Sequence, residues 1–178
     1  MKHHIRENLY LEILSTKHVE TIYTVVTTHR TFLSTFLMWV SDVKNLEDIE
    51  RFVMYTTKLY QLEGQLHCAI MYDERCIGII HMQNWNRLDR QTSIGYWLSP
   101  TYTRQGIMTD VLRDFCHYLF ERKKLHRLEV HIAERNEASI RVAEKIGFQF
   151  EGIRRHAEWC YDHFVNHRMY SLLEGEIK

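Results

Sequence analysis

Apolar and polar positions alternate with a period of two over residues 9–14. This places Leu9, Leu11 and Ile13 on one face and Tyr10 and Glu12 on the other, and predicts a first strand. From His18 the period lengthens: Val19, Ile22, Tyr23 and Val26 return at helical spacing, and Phe32 and Phe36 follow after a break at 28–30. Residues 31–40 are dense in large apolar groups without a clean period. They read as filling between two helices, with the roof of a pocket as the other reading. A second helix is predicted behind Asn45 as N-cap, with Asp48 and Glu50 near the positive end of its dipole and Gly64 as its stop. Its apolar stripe is Leu46, Ile49, Phe52, Val53, Leu59 and Tyr60.

Two apolar runs, 66–72 and 76–81, are joined by Asp73-Glu74-Arg75 and read as a hairpin; a strand over 92–98 lies one loop further on. A helix is predicted from Gly106 to about Glu121. It carries Ile107, Val111, Leu112, Phe115, Leu119 and Phe120 on one side and a basic end at Arg122, Lys123 and Lys124. Residues 128–132 alternate Leu128, Val130 and Ile132 against Glu129 and His131, a short strand. Residues 134–137 then turn into a helix that ends at Ile146, with Gly147 in the left-handed stop position. Two long strands, 148–159 and 163–172, close the chain around Cys160-Tyr161-Asp162. The order predicts an α+β domain, a mixed sheet covered by helices on both faces.

Composition narrows the class. A chain of 178 residues suits one domain, and one of this size buries roughly 70% of its unfolded surface. The expectation is a single domain over 1–178 with its core at about 9–174. The 23 basic and 23 acidic side chains cancel, which argues against a nucleic-acid or membrane footprint. No apolar run approaches the ~20 residues that span a bilayer, and the N-terminal residues lack the apolar core of a signal peptide, so a cytoplasmic protein is expected. Cys68, Cys76, Cys116 and Cys160 are scattered without a C-x-x-C pair and read as buried free thiols. His156, His163 and His167 offer no evident ligand pair at strand spacing, and no metal site is expected. The basic run Lys123, Lys124, His126 and Arg127 reads as a solvated helix end, with a phosphate contact as the sharper alternative.

The junction of the 92–98 strand with the helix at Gly106 carries the most chemistry. The strand empties into a loop holding Pro100, the only proline, and then into Thr103-Arg104-Gln105-Gly106-Ile107-Met108. Backbone N–H groups, a cation and a glycine without Cβ meet at one helix N-terminus, which suits an anion such as a pyrophosphate. The two commonest phosphate loops, G-x-x-x-x-G-K-[ST] and G-x-G-x-x-G, each need a second glycine that is absent here.

This loop is similar to the acetyl-CoA signature Q/R-x-x-G-x-G/A of the GNAT family of N-acetyltransferases. Thirty residues on, Asn136-Glu137-Ala138-Ser139-Ile140-Arg141-Val142-Ala143-Glu144-Lys145-Ile146-Gly147-Phe148 resembles that family's N-x-x-S-x-x-V-x-E-K-x-G-F helix, and Glu151-Gly152 follows. Nearly the whole chain resembles the Rim-type ribosomal-protein N-terminal acetyltransferases, through Ile94-Gly95-Tyr96-Trp97-Leu98, Gly106-Ile107-Met108-Thr109, the Trp39 region and the late residues 166–173. The resemblance implies the GNAT acyl-CoA N-acyltransferase fold. Its sheet is a mostly antiparallel, twisted one of about seven strands, splayed between strands 4 and 5 and flanked by about four helices.

It also implies a reaction: direct attack of an amine on the thioester of acetyl-CoA. By carry-over, Tyr96, Trp97 and Leu98 bond the pantetheine arm with their backbone. Arg104, Gln105, Gly106, Ile107, Met108 and Thr109 surround the pyrophosphate, and Asn136 and Ser139 face the pantetheine and the thiol. Thr103 stands where the family has Gln or Arg, and Arg104 substitutes from the next position. Many members carry a glutamate as base where this chain has Ser93, and some a tyrosine acid where it has Ala143. Ser139 then becomes the candidate acid toward the departing thiolate. The candidate bases are His81, whose ordinary pKa is about 6.5, the carboxylates of Glu134, Glu151 and Glu158, and a water chain with Ser93 as one link.

Three functions are open at this level. The first is acetylation of a protein N-terminal α-amine, of the ribosomal-protein type. The second is acetylation of a small amine such as a polyamine, an amino acid derivative or an antibiotic. The third is a CoA-binding regulatory protein without efficient transfer, motivated by Ser93 and Ala143. Phe32, Phe36, Trp39, Trp85 and Tyr161 are the aromatic candidates to line an acceptor site. A homodimer that shields the exposed edge of the long C-terminal strands is expected.

Overall fold

The computed structural model describes residues 2–178. Eight strands form one sheet in the order β1-β2-β3-β4-β5-β6-β8-β7, with β1 Lys2–Arg6, β2 Leu9–Ile13, β3 His67–Tyr72, β4 Arg75–Asn86, β5 Gln91–Leu98, β6 Arg127–Ala133, β7 Gln149–Cys160 and β8 His163–Leu173. Five helices accompany them: α1 Val19–Thr28, α2 Arg30–Leu33, α3 Leu46–Glu63, α4 Ile107–Lys123 and α5 Glu137–Ile146. The chain divides into two compact units, one holding the residues up to Met82 with Tyr96–Ile107, the other Gln83–Gly95 with Met108–Lys178. The single-domain expectation begins at Met1, which lies outside the described residues.

In the first unit β2 pairs antiparallel with β3, and β3 with β4, around a two-residue turn. Asp73 and Glu74 both hold positive φ there, 46° and 62°, the backbone that a tight hairpin between right-twisted strands requires. Leu9, Tyr10 and Leu11 are all buried, so β2 is covered on both faces and the one-sided alternation of residues 9–14 understates its burial. The core gathers Leu14, Ile22 and Val26 beside Ile49 and Val53 of α3, Ala69 and Met71 of β3, and Trp97 of β5.

α3 starts and stops as its ends dictate. Asn45 Oδ1 accepts from Asp48 N at 3.1 Å, and Asp48 Oδ2 accepts from Asn45 N at 3.0 Å, so two orphan amides are satisfied reciprocally. Its buried stripe is narrower than expected. Ile49, Val53 and Thr56 are buried, while Leu46, Phe52 and Tyr60 are exposed.

The strand and helix missing from the sequence reading have weak signals. β1 is Lys-His-His-Ile-Arg, polar throughout, and becomes a strand by adding to the edge of β2. α2 is a single turn. In the 31–40 segment Leu33 and Val40 are buried whereas Phe32 and Phe36 are exposed, so it is only partly core.

In the second unit β6 pairs antiparallel with β8, and β8 with β7. Val111, Leu112, Phe115, Leu119 and Phe120 of α4 are all buried, as are Leu128, Val130 and Ile132 of β6 and Ile140, Ala143 and Ile146 of α5. β5 and β6 are parallel, but their register pairs run only from Gln91↔Arg127 to Ser93↔Glu129. β5 continues to Leu98 and β6 to Ala133, so the two strands part after the third pair. The splay was expected between strands 4 and 5 of about seven; with β1 added at the edge the sheet has eight strands and the splay falls between β5 and β6.

Candidate functional site

The loop between β5 and α4 is built from the strand outward. Gly78 of β4 lies so close to β5 that a Cβ there would come within 2.3 Å of the Trp97 carbonyl oxygen. Ser99 N then donates to the Ile77 carbonyl at 2.7 Å. The Pro100–Tyr102 turn follows. Thr103 Oγ1 donates to the Pro100 carbonyl at 2.8 Å, and Gln105 Nε2 to the Thr101 carbonyl at 3.1 Å, so both side chains brace the loop. Arg104 and Gly106 hold positive φ, 62° and 77°, and the four residues 103–106 are exposed. Ile107, Met108 and Thr109 bury at once. The first amides of α4 have no acceptor one turn back, and they open onto a solvent-facing loop carrying the Arg104 guanidinium. That arrangement suits a multiply charged anion.

Tyr96, Trp97 and Leu98 precede this loop on β5, with Tyr96 half-buried and the other two buried. Trp97 begins a row of rings within the first unit. Its ring centroid lies 6.2 Å from that of Trp39, which stacks on Phe52 at 6.1 Å; Phe52 meets His67 edge-on at 6.4 Å. His67 stacks on His81 at 5.0 Å with the planes 3° apart. The two histidines are register partners on β3 and β4, which places their side chains on one face. Burial first and the neighbouring His81 second push the pKa of His67 down to about 4, so it is neutral near pH 7. Neither Phe52 nor His67 was a sequence-level candidate. Phe52 reads as part of a helix stripe, and His67 has no local signal at all.

The second unit holds the other candidates. Ser93 is buried and belongs to the last β5–β6 register pair. Asn136 caps α5, its Oδ1 accepting from Ser139 N at 3.2 Å, and Ser139 stands half-buried on the first turn. Of the three carboxylates, Glu151 is held by Arg127 through two bonds of 2.8 and 2.6 Å and by Ser171 Oγ at 2.8 Å. These donors, Arg127 foremost, lower its pKa to about 2, so it takes no proton near neutrality. Glu134 accepts from Asn166 Nδ2 at 2.9 Å, and Glu158 lies 3.1 Å from His167 Nε2.

His156, His163 and His167 have different partners rather than a shared centre. His163 is bonded to Asp162 at 2.8 Å, and His156 stacks on Phe164. Within the basic run, Arg127 is committed to Glu129 and Glu151, and Lys123 sits 5.1 Å over the ring of Trp85, which Arg87 covers at 4.4 Å. Tyr161 is exposed in the turn between β7 and β8. All four cysteines are buried, and burial raises the thiols of Cys68 and Cys76 to about 12, beyond nucleophilic use.

The sequence matches the model of the acetyltransferase (GNAT) domain over residues 8–149. The chain belongs to the GNAT family of acetyltransferases. The ribosomal-protein-serine acetyltransferase of Escherichia coli (strain K12) is 27% identical over 169 residues, which cover 95% of this chain and 94% of that protein. A probable N-acetyltransferase of Bacillus subtilis (strain 168), YjcK, is 29% identical, covering 96% of each chain. Among solved structures, RimL, a ribosomal L7/L12 alpha-N-protein acetyltransferase in complex with coenzyme A, superposes with a TM-score of 0.93 at 22% identity, covering 97% of this chain and 98% of that one. This last likeness is one of fold. As a GNAT domain, the chain has the parted parallel strands and the strand-to-helix loop in the order that the family places them.

Proposed function

We propose that the chain transfers an acetyl group from acetyl-CoA to a protein N-terminal α-amine, of the ribosomal-protein type, and that one catalytic domain over about 9–174 does so. The observation that carries the reading is the parting of β5 from β6 just before the exposed Arg104–Gly106 loop and the start of α4. Beyond the last β5–β6 register pair, Tyr96, Trp97 and Leu98 bond the pantetheine arm with their backbone, as they would an added strand. Arg104, Gln105, Gly106, Ile107, Met108 and Thr109 hold the pyrophosphate, chiefly through the amides of the first turn of α4, while Asn136 and Ser139 face the thiol. Ser139 hydrogen-bonds the sulfur as the thiolate departs, and Ser93 or His81 is a candidate route for the amine proton. The full-length likeness to a ribosomal-protein-serine acetyltransferase supports a peptide acceptor. The protein works as a cytoplasmic homodimer with β7 as the strand that the partner covers.

The test is release of CoA thiol from acetyl-CoA in the presence of peptides with free N-terminal serine or alanine, the same peptides already N-acetylated, and a panel of small amines. Turnover is expected with the free peptides and not with the blocked ones. Turnover confined to polyamines or amino acid derivatives would move the acceptor to a small amine. Tight acetyl-CoA binding with no turnover on any acceptor would favour a CoA-binding regulatory protein.

A further inference from the structure

Within the sheet, the end of β6 is carried by β8 after β5 has parted from it. The β5–β6 register stops at Ser93↔Glu129, whereas the β6–β8 register continues to Ala133↔His167. Beyond that pair the chain turns through residues 134–136 into α5, with Ser139 on the first turn of the helix. α5 has only ten residues, too few to be stable by itself in water, so its start is fixed by what holds the turn before it.

Asn166 of β8 grips that turn. Its carbonyl accepts from Glu134 N at 3.1 Å, one bond beyond the last register pair, and its Nδ2 donates to Glu134 Oε2 at 2.9 Å. Its Oδ1 accepts from His156 N at 2.9 Å. That amide belongs to a bulge. Arg154↔His167 and Glu158↔Val165 are successive pairs of β7 with β8, so Asn166 alone stands opposite residues 155–157, and His156 takes a φ of 47°. A backbone N–H can only donate and a carboxylate only accept, so this position needs one acceptor and one donor on a short side chain. Asparagine supplies both.

The first turn of α5 follows from this anchor. Asn136 N donates to the Ala133 carbonyl at 2.8 Å, so the turn closes on the last paired residue of β6. Asn136 Oδ1 then accepts from Ser139 N at 3.2 Å, and the Asn136 carbonyl from Ile140 N at 3.1 Å. Glu134 lies inside the turn, tied to Asn166 through both its backbone and its side chain. In sequence Asn166 is one polar residue of a long strand; only the bulge and the turn on either side of it give it partners.

We propose that Asn166 is a positioning residue for acetyl transfer: by tying the turn out of β6 to β8 and to the β7 bulge, it fixes the Asn136 cap and the Ser139 hydroxyl. The role rests on the acetyltransferase reading above, in which Ser139 meets the departing sulfur. Glu134, a candidate base in the sequence, acts as the anchor of the turn instead.

The test is steady-state kinetics and amide hydrogen exchange on N166D, E134A and the double variant N166D/E134Q in the full chain, with acetyl-CoA and the accepted peptide. N166D keeps an acceptor for His156 N but sets a carboxylate against a carboxylate, whereas E134A leaves the bulge bond and removes only the side-chain tether. Both are expected to lose roughly 10- to 10²-fold in kcat and in kcat/KM for acetyl-CoA alike, because a small misplacement near the reacting atoms is felt in the transition state. In both, the Ser139 and Ile140 amides should exchange faster. N166D/E134Q reverses donor and acceptor across the same gap and should recover most of the loss in both readouts. Wild-type kcat in E134A, unchanged exchange in both single variants, a double variant no better than N166D, or a raised acetyl-CoA KM with kcat unchanged would each overturn the assignment. The rescue also separates an anchor from a base, since the double variant has no carboxylate at position 134. Should N166D not fold, E134A decides by the same readouts. Absence of wild-type turnover on every amine would overturn the acetyl-transfer reading and the role in transfer with it, whereas an active wild type with an unimpaired E134A would overturn only the proposal.

Discussion

His67 shows how a single buried group ties stability to pH. Its imidazole is pushed down to about 4 from 6.5, mainly by burial and then by the His81 ring stacked on it. The sign follows from which state binds the proton. Below about pH 6.5 the unfolded chain protonates this histidine and the folded chain does not, so stability falls as pH drops towards about 4 and the loss then levels off. The gap corresponds to roughly 3 kcal/mol. His67→Phe keeps a ring against Phe52 and His81 but removes the titration. Urea unfolding at pH 7 and pH 4.5 should show a smaller acid loss in the variant than in the wild type; equal losses would contradict this account. The neighbouring lesson concerns Glu151, a sequence-level candidate base. Its bonds to Arg127 and Ser171 are invisible in a linear chain, and they turn it into a structural anion.

Between β4 and β5, a close backbone approach sets where the loop from β5 to α4 begins. Gly78 is needed because any Cβ would strike the Trp97 carbonyl, and backbone cannot swing aside as a side chain can. Gly78→Ala should destabilise the protein by about 1–3 kcal/mol and weaken acetyl-CoA binding, since β5 leads directly into the Arg104–Gly106 loop. Thermal melting and acetyl-CoA titration check both effects, and a variant with wild-type melting would show that the strands part further at no cost. The helices need no such tertiary help to be recognised. Asn45 and Gly64 bracket α3, and Asn136 and Gly147 bracket α5, because caps answer to local backbone groups. β1 lacks that kind of signal. Its strand state comes from pairing with β2, so its polar sequence gives no period to read.

At the scale of the molecule, β7 is the last strand of the sheet, and the β7–β8 hairpin exposes Phe150, Ile153, Trp159, Tyr161 and Phe164. An open edge beside exposed aromatic groups is a pairing surface. A homodimer of twice 21.6 kDa is therefore expected in solution, and Trp159→Glu with Phe164→Glu should return the chain to a monomer. A wild-type monomeric mass at micromolar concentration, measured by light scattering, would contradict the dimer.

The family and the order of every element but β1 and α2 were legible in the chain itself, because hydrophobic period, caps and the Arg104–Thr109 and Asn136–Phe148 motifs depend on residues close in sequence. The parting of β5 and β6, the ring row from Trp97 to His81 and the bonds of Asn166 to Glu134 and His156 were not. Each depends on the register between strands or on packing between segments distant in sequence. Only the folded sheet sets one β8 side chain between the bulge of β7 and the turn that leads into α5.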